Sequence, residues 1–580
     1  MGSKKNSRKP ANDGFSAAAP SAKAQKANSA AKKKTTISVI CMVLVMALFI
    51  GVIVYNKVVE DGYYYRNTIS ASSENYEINN AMMSYYFNSS YQNMSSSMEQ
   101  MGVDLQKNLK DQTYTSNKTW FDFIMESYTV PQVKQILTLC EAAKAAGFEL
   151  DDHEREHIDE AIDTIKANIE TYSKQYGGSE DFYLRNMYGH GVSMDDIRKA
   201  IELNQLAAAY SAHLQETYEF TEEEWEKHLN EHKADFQVID YVTYSFTAKQ
   251  PEASTTTTAA TSAPETTPAT ETTEPVAGTS APETDVAASA SDETSGTTAA
   301  TTEKKEEELS AEKKEALALA NALADKMRAE PDKALEIFNT EVKKYLEDEV
   351  YKSETDEKKK AENVETSLKA TVAEGASNDQ TNDFLKFAFD TDRDQAKDIF
   401  VSEDNSTGKY TVYLITKDPY IEEYLTKDVL VIALSASEGD DINKERDNII
   451  KEFEAGDKSE ASFKALAEKY SDDSSAHETG GLYENQTKTG LPVEELSDWL
   501  FSADRAAGDY NSASNGATGT SEVIYIVYYV GDGLIKWQVD VDNTMTAEAY
   551  EADYKKLEEA HKVNVSLEDA YKIPGQAGIS

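Results

Sequence analysis

The sequence predicts an α+β protein of several domains, and three patterns in its 580 residues lead to that prediction. Apolar residues recur at helical spacing almost throughout residues 60–234. Runs of β-branched and aromatic residues, typical of strands, follow, beginning with residues 236–246. An internal repeat relates residues 384–393 to residues 496–505 at an offset of 112. Hydrophobic residues make up 40% of the chain, which is enough for more than one core.

The N-terminal segment predicts a single transmembrane helix at residues 35–55. This stretch has no charged residue and is about long enough to cross a hydrocarbon core. Residues 1–34 carry nine Lys or Arg against one Asp, so the positive-inside rule places this basic tail in the cytoplasm and the bulk of the chain outside. A cleaved signal peptide is the alternative, but no small-x-small cleavage site follows the apolar run. We therefore expect a signal anchor in the cell membrane.

Charge and cysteine content exclude several kinds of protein. The formal net charge is −46 and the first 34 residues contribute +8, so the remainder sums to −54. Such an acidic surface would repel nucleic acid and anionic lipid. Cys41 lies inside the predicted span and Cys140 beyond it, and the chain has no other cysteine. Because the predicted membrane separates the two, no disulfide is expected to stabilise the fold.

Residues 60–234 predict several helices joined by short turns. Ser193 with Asp196, and Thr221 with Glu224, have the spacing of capping boxes and mark two helix starts. The clearest apolar stripe alternates steps of four and three, at Ile158, Ile162, Ile165, Ile169, Tyr172 and Tyr176. We expect one helical domain over this range.

A zinc-binding pattern lies within the helical region. His153, Glu154 and His157 satisfy H-E-x-x-H, which on a helix presents two zinc ligands and a general base. Their neighbours are charged and would form a solvated first helical turn, namely Asp151, Asp152, Arg155 and Glu156. A zinc metallopeptidase is therefore the least favoured function, and neither a metal nor a cofactor is expected.

The first strand-like run is followed by a low-complexity tract at residues 251–302. The tract consists mostly of Thr, Ala, Ser, Glu and Pro, and it contains no aromatic residue, Lys or Arg. It cannot bury enough apolar surface to offset the entropy of ordering, so disorder is expected. Helical spacing resumes at Ala316. We interpret the tract as an insertion within one domain, and a tether between two domains is the alternative.

The internal repeat predicts two similar α/β units in tandem. The motif FLKFAFDTDR at residues 384–393 corresponds to LSDWLFSADR at residues 496–505. Each copy leads to a β-rich run and follows a candidate opening strand, which is residues 236–246 in the first copy and residues 429–434 in the second. We place the two units at residues 235–420 and 426–532.

The second unit contains the most informative stretch, FKALAEKYSDDSSAHETGGL at residues 463–482. Ser459 has the position of an N-cap for a helix that ends near Ser471. Its apolar face repeats at steps of three and four, at Phe463, Leu466, Ala467 and Tyr470. A row of carboxylates and hydroxyls follows, and Gly480-Gly481 permits backbone angles that other residues resist. Polar side chains are therefore displayed on a bent loop.

This stretch resembles the core of parvulin-type (PpiC-like) peptidyl-prolyl isomerases, and the resemblance covers residues 426–532. It implies that Asp473 occupies the family's active-site carboxylate position, with Ser471 beside it. It also implies that Leu491, Leu496 and Phe501 form an apolar floor for the substrate proline, although ordinary core positions are the alternative. The first unit lacks the serine-aspartate run and the glycine pair. We therefore expect it to act as a scaffold or binding surface.

The sequence departs from the parvulin pattern at two histidine positions. Val431 or Ile432 stands about where the opening strand usually carries one, and Tyr525 stands near the other. Rotation about an X-Pro amide needs no metal or covalent intermediate, only a pocket whose field favours the twisted amide. We expect Asp473 and Ser471 to tune that field and Tyr525 to contact the substrate. Because the histidines are missing, weak or undetectable isomerisation with preserved binding is expected.

The order of the elements resembles exported foldases of the PrsA and SurA type. In that type a helical chaperone domain precedes the parvulin units, and a C-terminal tail packs back on it, which implies this role for residues 540–566. The resemblance implies a membrane-anchored extracytoplasmic foldase that binds unfolded or proline-containing exported polypeptides. A holdase whose parvulin units have lost catalysis is the alternative.

Deleting residues 251–302 should leave the melting temperature of the exported part nearly unchanged. The free energy of loop closure varies slowly with loop length, by about 0.6 kcal/mol for each doubling. Calorimetry of the exported part with and without the tract measures the change. A large loss of stability would show that the tract packs against a folded domain.

Overall fold

The computed structural model describes residues 44–52, 55, 62–189, 191–249, 309–390, 392–393, 398–437, 441–473 and 475–574. These residues fall into two compact units. Unit 1 contains the described residues up to Thr217 and those from Tyr550 onward, and unit 2 contains those from Tyr218 to Ala549. The predicted basic tail, residues 1–34, and the low-complexity tract, residues 251–302, lie outside the described residues.

The predicted transmembrane helix lies only partly within the described residues. Residues 44–52 are helical, and seven large apolar side chains there are between 51% and 69% exposed. No helix within the described ranges is both long enough and apolar enough to cross a membrane. A span at residues 35–55 therefore stays a prediction.

The N-terminal part of unit 1 is mainly helical, as its apolar spacing predicts. Its helices are α1 (Tyr63–Asn67), α2 (Asn80–Gln100), α3 (Trp120–Ile124), α4 (Val130–Ala146), α5 (Asp152–Tyr176), α6 (Glu180–Tyr188) and α7 (Met194–Glu216). Four short strands, which the apolar spacing did not predict, are β1 (Ile69–Ser72), β2 (Glu77–Asn79), β3 (Thr113–Thr115) and β4 (Lys118–Thr119). The core of this part includes the fully buried Phe87 and Leu137.

The H-E-x-x-H pattern forms the start of α5. Asp151 is the N-cap, and its carboxylate accepts a hydrogen bond of 2.8 Å from the backbone N–H of Glu154. The Glu154 carboxylate accepts one, also 2.8 Å long, from the N–H of Asp151. The residue that a zinc peptidase would use as general base therefore completes a capping box. Among the described residues, no group of three or more His, Cys, Asp or Glu side chains is placed to hold a metal ion.

The first half of unit 2 contains a four-stranded antiparallel sheet that we call module 1 (Val238–Tyr420). After α8 (Glu222–Glu231), the elements are β5 (Val238–Thr247), α9 (Ala311–Ala329), α10 (Ala334–Tyr345), α11 (Glu357–Lys369), β6 (Val372–Ser377), α12 (Asp383–Ala388), β7 (Ile399–Asp404) and β8 (Lys409–Tyr420). The strand order is β6-β5-β8-β7. Helices α9 to α11 pack on one sheet face around Phe338, and α12 packs on the other around Phe384.

The elements that flank the low-complexity tract share one core. Val242 and Phe246 of β5 pack with Ala316 and Ala320 of α9 in the same buried cluster. The described segments before and after the tract therefore pack in one module.

The second half of unit 2 repeats this arrangement as module 2 (Leu425–Ile535). Its elements are β9 (Leu425–Ser435), α13 (Ile442–Ala455), α14 (Glu460–Tyr470), α15 (Ala476–Thr479), β10 (Leu482–Gln486), α16 (Glu494–Leu500), β11 (Tyr510–Ser514) and β12 (Val523–Ile535). The strand order, β10-β9-β12-β11, corresponds strand by strand to that of module 1. Helices α13 and α14 cover one face around Phe453, and α16 lies on the other. The internal repeat in the sequence is therefore a repeated fold.

The C-terminal segment completes unit 1. Its elements are the end of α17 (Lys536–Ala560), then β13 (Asn564–Val565) and α18 (Leu567–Ala570). Strand β13 pairs with β1, which makes a three-stranded sheet of order β13-β1-β2. Tyr554 and Leu557 of α17 pack against the core of the N-terminal helices. Unit 1 is therefore built from both ends of the described chain.

A lysine binds the last described turn, which contains Tyr571 and Ile573. The Lys110 ammonium donates to the carbonyl oxygen of Tyr571 at 2.9 Å and to that of Ile573 at 2.6 Å. It also lies 4.3 Å from the centre of the Phe121 ring. Burial lowers the pKa of Lys110, because removing the ammonium from water costs free energy. These contacts offset part of that cost. The Ile573 side chain is fully buried beside them.

Replacing Ile573 by alanine should lower the free energy of unfolding of unit 1 by about 2–4 kcal/mol, because the change leaves a cavity in the core. Hydrogen exchange of the buried amides of α2 in increasing urea measures unit 1 separately from unit 2. Leu567 of the same segment is 51% exposed, and its alanine variant should change stability by less than about 0.5 kcal/mol. Equal stability of the two variants would contradict the packing of this C-terminal segment against unit 1.

Candidate functional site

The candidate site is the face of the module 2 sheet that lies opposite α13 and α14. Alternation along β9 places Val429 and Val431 on this face, whereas Leu430 and Ile432 pack against the helices. Of the two residues predicted for the first histidine position, Val431 therefore shares a face with Tyr525. The two positions hold a valine and a tyrosine on one surface.

Helix α16 covers this face incompletely. Leu500 and the predicted floor residue Leu496 are fully buried beneath it, and the second floor residue, Leu491, is 8% exposed. Leu496 therefore belongs to the core, the alternative that the sequence left open. The apolar side chains that stay partly exposed over this cluster are Tyr483, Val493, Trp499, Phe501 and Tyr525.

The two exposed members of the predicted substrate site lie toward different ends of the sheet. Tyr525 pairs with Ala433 near the end of β9. The Phe501 ring contacts the Tyr424 ring edge-on at 5.6 Å and lies 5.9 Å from the Lys427 ammonium, at the start of β9. Since a strand rises about 3.3 Å per residue, the two rings do not converge on one proline. They line a longer apolar surface.

The loop after α14 is tied to β9 by its first two polar residues. The Ser471 hydroxyl is buried and accepts hydrogen bonds from the N–H of Ala433 at 3.1 Å and from that of Asp473 at 3.3 Å. The Asp472 carboxylate accepts one of 2.6 Å from the N–H of Ser435. The predicted site residue Ser471 therefore anchors the loop and does not face solvent.

Asp473 stands at the edge of the apolar face with both carboxylate oxygens engaged. One oxygen accepts hydrogen bonds from the backbone N–H of Ser475 at 3.0 Å and from its hydroxyl at 2.9 Å. The other accepts one from the Tyr483 hydroxyl. Burial and, next, the Asp473 carboxylate raise the pKa of Tyr483, so its hydroxyl keeps its proton. Sequence reasoning missed Tyr483, whose only signal is its place two residues after the glycine pair.

The glycine pair brings β10 against β9. Gly480 and Gly481 have φ of +64° and +76°, as the sequence predicts for this turn. A Cβ on Gly481 would lie 2.4 Å from the carbonyl oxygen of Val431. The Gly481 carbonyl in turn accepts a 2.8 Å hydrogen bond from the N–H of Val431. No other residue fits this approach without moving the strand.

The same face of module 1 carries a cluster of aromatic rings, which we call the aromatic face. Phe384 stacks on Tyr413 with ring centres 4.1 Å apart, and Tyr241 contacts Phe384 at 4.8 Å. Phe387 contacts Phe400 at 5.3 Å. Five of its rings are partly exposed, those of Tyr241, Phe387, Phe389, Phe400 and Tyr413. In the repeat, Tyr413 corresponds to Tyr525.

The segment around α12, which borders the aromatic face, is acidic. Between residues 374 and 398 the described residues include six Asp or Glu and two basic residues, Lys386 and Arg393. Arg393 has a side chain that is 6% exposed, and it pairs with Asp398 and Asp418. Among the described residues of this segment, Lys386 is the exposed basic side chain.

Comparisons with known proteins find a distant likeness among solved structures. No protein-family model matches the chain, and no curated protein matches it. Among solved structures, the chain is similar to the crystal structure of foldase protein PrsA from Streptococcus pneumoniae str. Canada MDR_19A. The identity is 15%, the match covers 43% of this chain and 92% of that chain, and the TM-score is 0.16.

Gly481→Ala should destabilise module 2 strongly, because it combines a left-handed backbone with a steric clash. Gly516 is the matched control, since its φ is +75° and nothing lies within 4 Å of its missing Cβ. Gly516→Ala should cost about 1–2 kcal/mol for the backbone alone, and Gly481→Ala should cost about 1–3 kcal/mol more. Urea denaturation followed by hydrogen exchange of β9 and β12 compares them, and equal losses would refute the close approach.

Proposed function

We propose that this protein is an extracytoplasmic foldase or holdase that binds unfolded, proline-containing segments of exported polypeptides. The observation that carries the proposal is the aromatic face of module 1, whose partly exposed rings contact one another beside a helix of six residues. The parvulin-like stretch of module 2 and the order of the elements along the chain support it. Binding is the main activity in this proposal, and isomerisation is secondary.

Partly exposed aromatic rings suit the binding of unfolded chains. A contiguous apolar patch on a protein surface commonly marks an interaction site. Aromatic side chains have few rotatable bonds and a large contact area, so they lose little conformational entropy on binding and often dominate an interface. Unfolded segments expose the apolar side chains that folded proteins bury. Such a surface would therefore bind unfolded polypeptides in preference to folded ones, with little sequence specificity.

Charge narrows the class of partner. The net charge of −46 and the acidic segment around α12 would repel nucleic acid and anionic lipid. They would attract segments in which Lys or Arg accompanies apolar residues, and this attraction would raise the rate of association. The partner that fits both features is a polypeptide with exposed apolar and basic side chains.

Isomerase activity is the second candidate function, and a specific feature of module 2 favours it. Asp473 stands on a loop at the edge of an apolar face, as the resemblance to parvulins implies for an active-site carboxylate. The two positions at which parvulins usually carry histidine are occupied by Val431 and Tyr525. Part of the polar surroundings that would favour the twisted amide is therefore missing. We expect proline-containing segments to bind module 2 with weak or undetectable turnover.

The proposed location is the outer side of a cell membrane, with residues 35–55 as the anchor. The uncharged run and the basic tail before it support this topology. The exposed apolar side chains of residues 44–52 support it too, because a helix that contacts lipid presents apolar side chains outward.

Replacing Phe387 and Phe400 together by alanine should weaken the binding of an unfolded client by about tenfold or more, because aromatic anchors often contribute more than 1 kcal/mol each. The client is a reduced, alkylated and fluorescently labelled polypeptide, and fluorescence anisotropy of its complex with the full chain gives the Kd.

Tyr176→Ala is the control for this experiment. Tyr176 is an aromatic residue of unit 1 with 68% exposure, and it lies on neither sheet. Its removal should leave the Kd within about twofold of the wild-type value. Melting curves show whether the double variant is folded. If the double variant is folded and binds the client as tightly as the wild type does, the proposed role of the aromatic face is wrong.

Protease added to intact cells should digest the chain down to an N-terminal stub, because the proposed anchor leaves everything after residue 55 outside. Immunoblotting with one tag at the N-terminus and another at the C-terminus measures this. Survival of the full-length chain in intact cells, together with its digestion after lysis, would overturn the proposed location.

A further inference from the structure

The carboxylate of Asp473 is held by its own loop and by the neighbouring strand at once. Ser475, two residues on, supplies a backbone N–H and a hydroxyl to one oxygen. Tyr483 reaches the other oxygen from β10, where it pairs with Val429 of β9. Its hydroxyl also lies 3.4 Å from that of Ser475. Tyr483 is partly exposed on the face that carries Tyr525, so a bound segment would meet the tyrosine together with the carboxylate.

A carboxylate close to an X-Pro amide affects the rate at which that amide rotates. A planar amide places partial negative charge on its carbonyl oxygen, and this charge decreases as the bond twists and resonance is lost. A carboxylate beside that oxygen repels the planar form more than the twisted form, so it speeds rotation. When a hydroxyl donates a hydrogen bond to the carboxylate, it draws the negative charge of the carboxylate away from the substrate. It also fixes the orientation of the carboxylate.

We propose that Tyr483 is a positioning residue whose hydrogen bond to Asp473, called the latch below, reduces the effect of this carboxylate on a bound X-Pro amide. This inference rests on the proposed function, because it requires that proline-containing segments bind this face. The latch and the missing histidines act in the same direction. Removing the tyrosine hydroxyl would leave the binding surface in place and take away this one hydrogen bond, while Ser475 keeps its own two to the other oxygen.

A second tyrosine, Tyr529, provides a matched control, because it is only 5% exposed and belongs to the core beneath the face. The Tyr529 hydroxyl donates to the Asp532 carboxylate at 2.6 Å, which is the same kind of contact. Tyr529 of β12 and Tyr483 of β10 pair with Val429 from opposite sides of β9. The Tyr529 hydroxyl meets Asp532 and the Lys427 ammonium, and Tyr483 meets Asp473. Tyr529→Phe therefore removes an equivalent hydrogen bond on the same sheet without touching Asp473. Comparing the two variants distinguishes an effect of the hydrogen bond to Asp473 from a general loss of rigidity in the sheet.

The test measures isomerisation of a tetrapeptide with one X-Pro bond by exchange NMR, using the full chain. We expect Tyr483→Phe to raise kcat/KM by about fivefold to tenfold, the effect of freeing one carboxylate from one hydrogen bond. Tyr529→Phe should stay within about twofold of the wild type. Adding Asp473→Asn to Tyr483→Phe should abolish the gain. The gain in Tyr483→Phe should lie in kcat, with KM nearly unchanged, because the hydroxyl acts on the carboxylate and not on binding.

Binding is measured on the same proteins by anisotropy with the unfolded client. If the wild type binds the client and Tyr483→Phe isomerises no faster, the latch is wrong and the proposed function stands. A gain that survives Asp473→Asn, or an equal gain in Tyr529→Phe, also overturns the latch. If neither the wild type nor any folded variant binds the client, the proposed function itself fails.

Discussion

The unequal cover of the two faces of each sheet is the constraint on which the rest of the structure depends. Long helices cover one face of each module, and a single helix of six or seven residues lies on the other. Such a helix is about 10 Å long, whereas the central strands have 10 to 13 residues and so extend for more than about 30 Å. Side chains at alternate strand positions therefore stay partly exposed, and aromatic residues there become surface rings.

The two modules use this constraint differently. Module 1 fills the open face with rings that contact one another, such as Phe384 on Tyr413. Module 2 has Leu496 at the position that corresponds to Phe384, both of them buried, and a hydroxyl-carboxylate cluster at the edge of the face. That edge exists because Ser471 and its neighbour bind the backbone of β9, so the loop is fixed by the strand that it borders. A repeated fold thus presents one surface of contacting rings and one surface with a hydroxyl-carboxylate cluster at its edge.

Unit 1 is discontinuous along the chain, and this has consequences for folding. The Asn80 side chain donates to the carbonyl oxygen of Asp569, a partner 489 residues away. Contacts of such separation form late, because a long loop must close before they contribute. The described residues of unit 2 all lie in sequence between the two parts of unit 1, so unit 2 is able to fold before unit 1 is complete.

The sequence by itself determined whatever depends on local spacing. The helix that begins after Ser459, the turn at Gly480-Gly481 and the repeat at an offset of 112 all follow from residue types a few positions apart, and the structure has them. The site depends on more. The burial of Leu496, the separation of Phe501 from Tyr525 and the hydrogen bond from Tyr483 to Asp473 are set by strand register and by packing between distant segments. Only the tertiary structure decided these, because apolar spacing states which side chains are buried together but not which partners they meet.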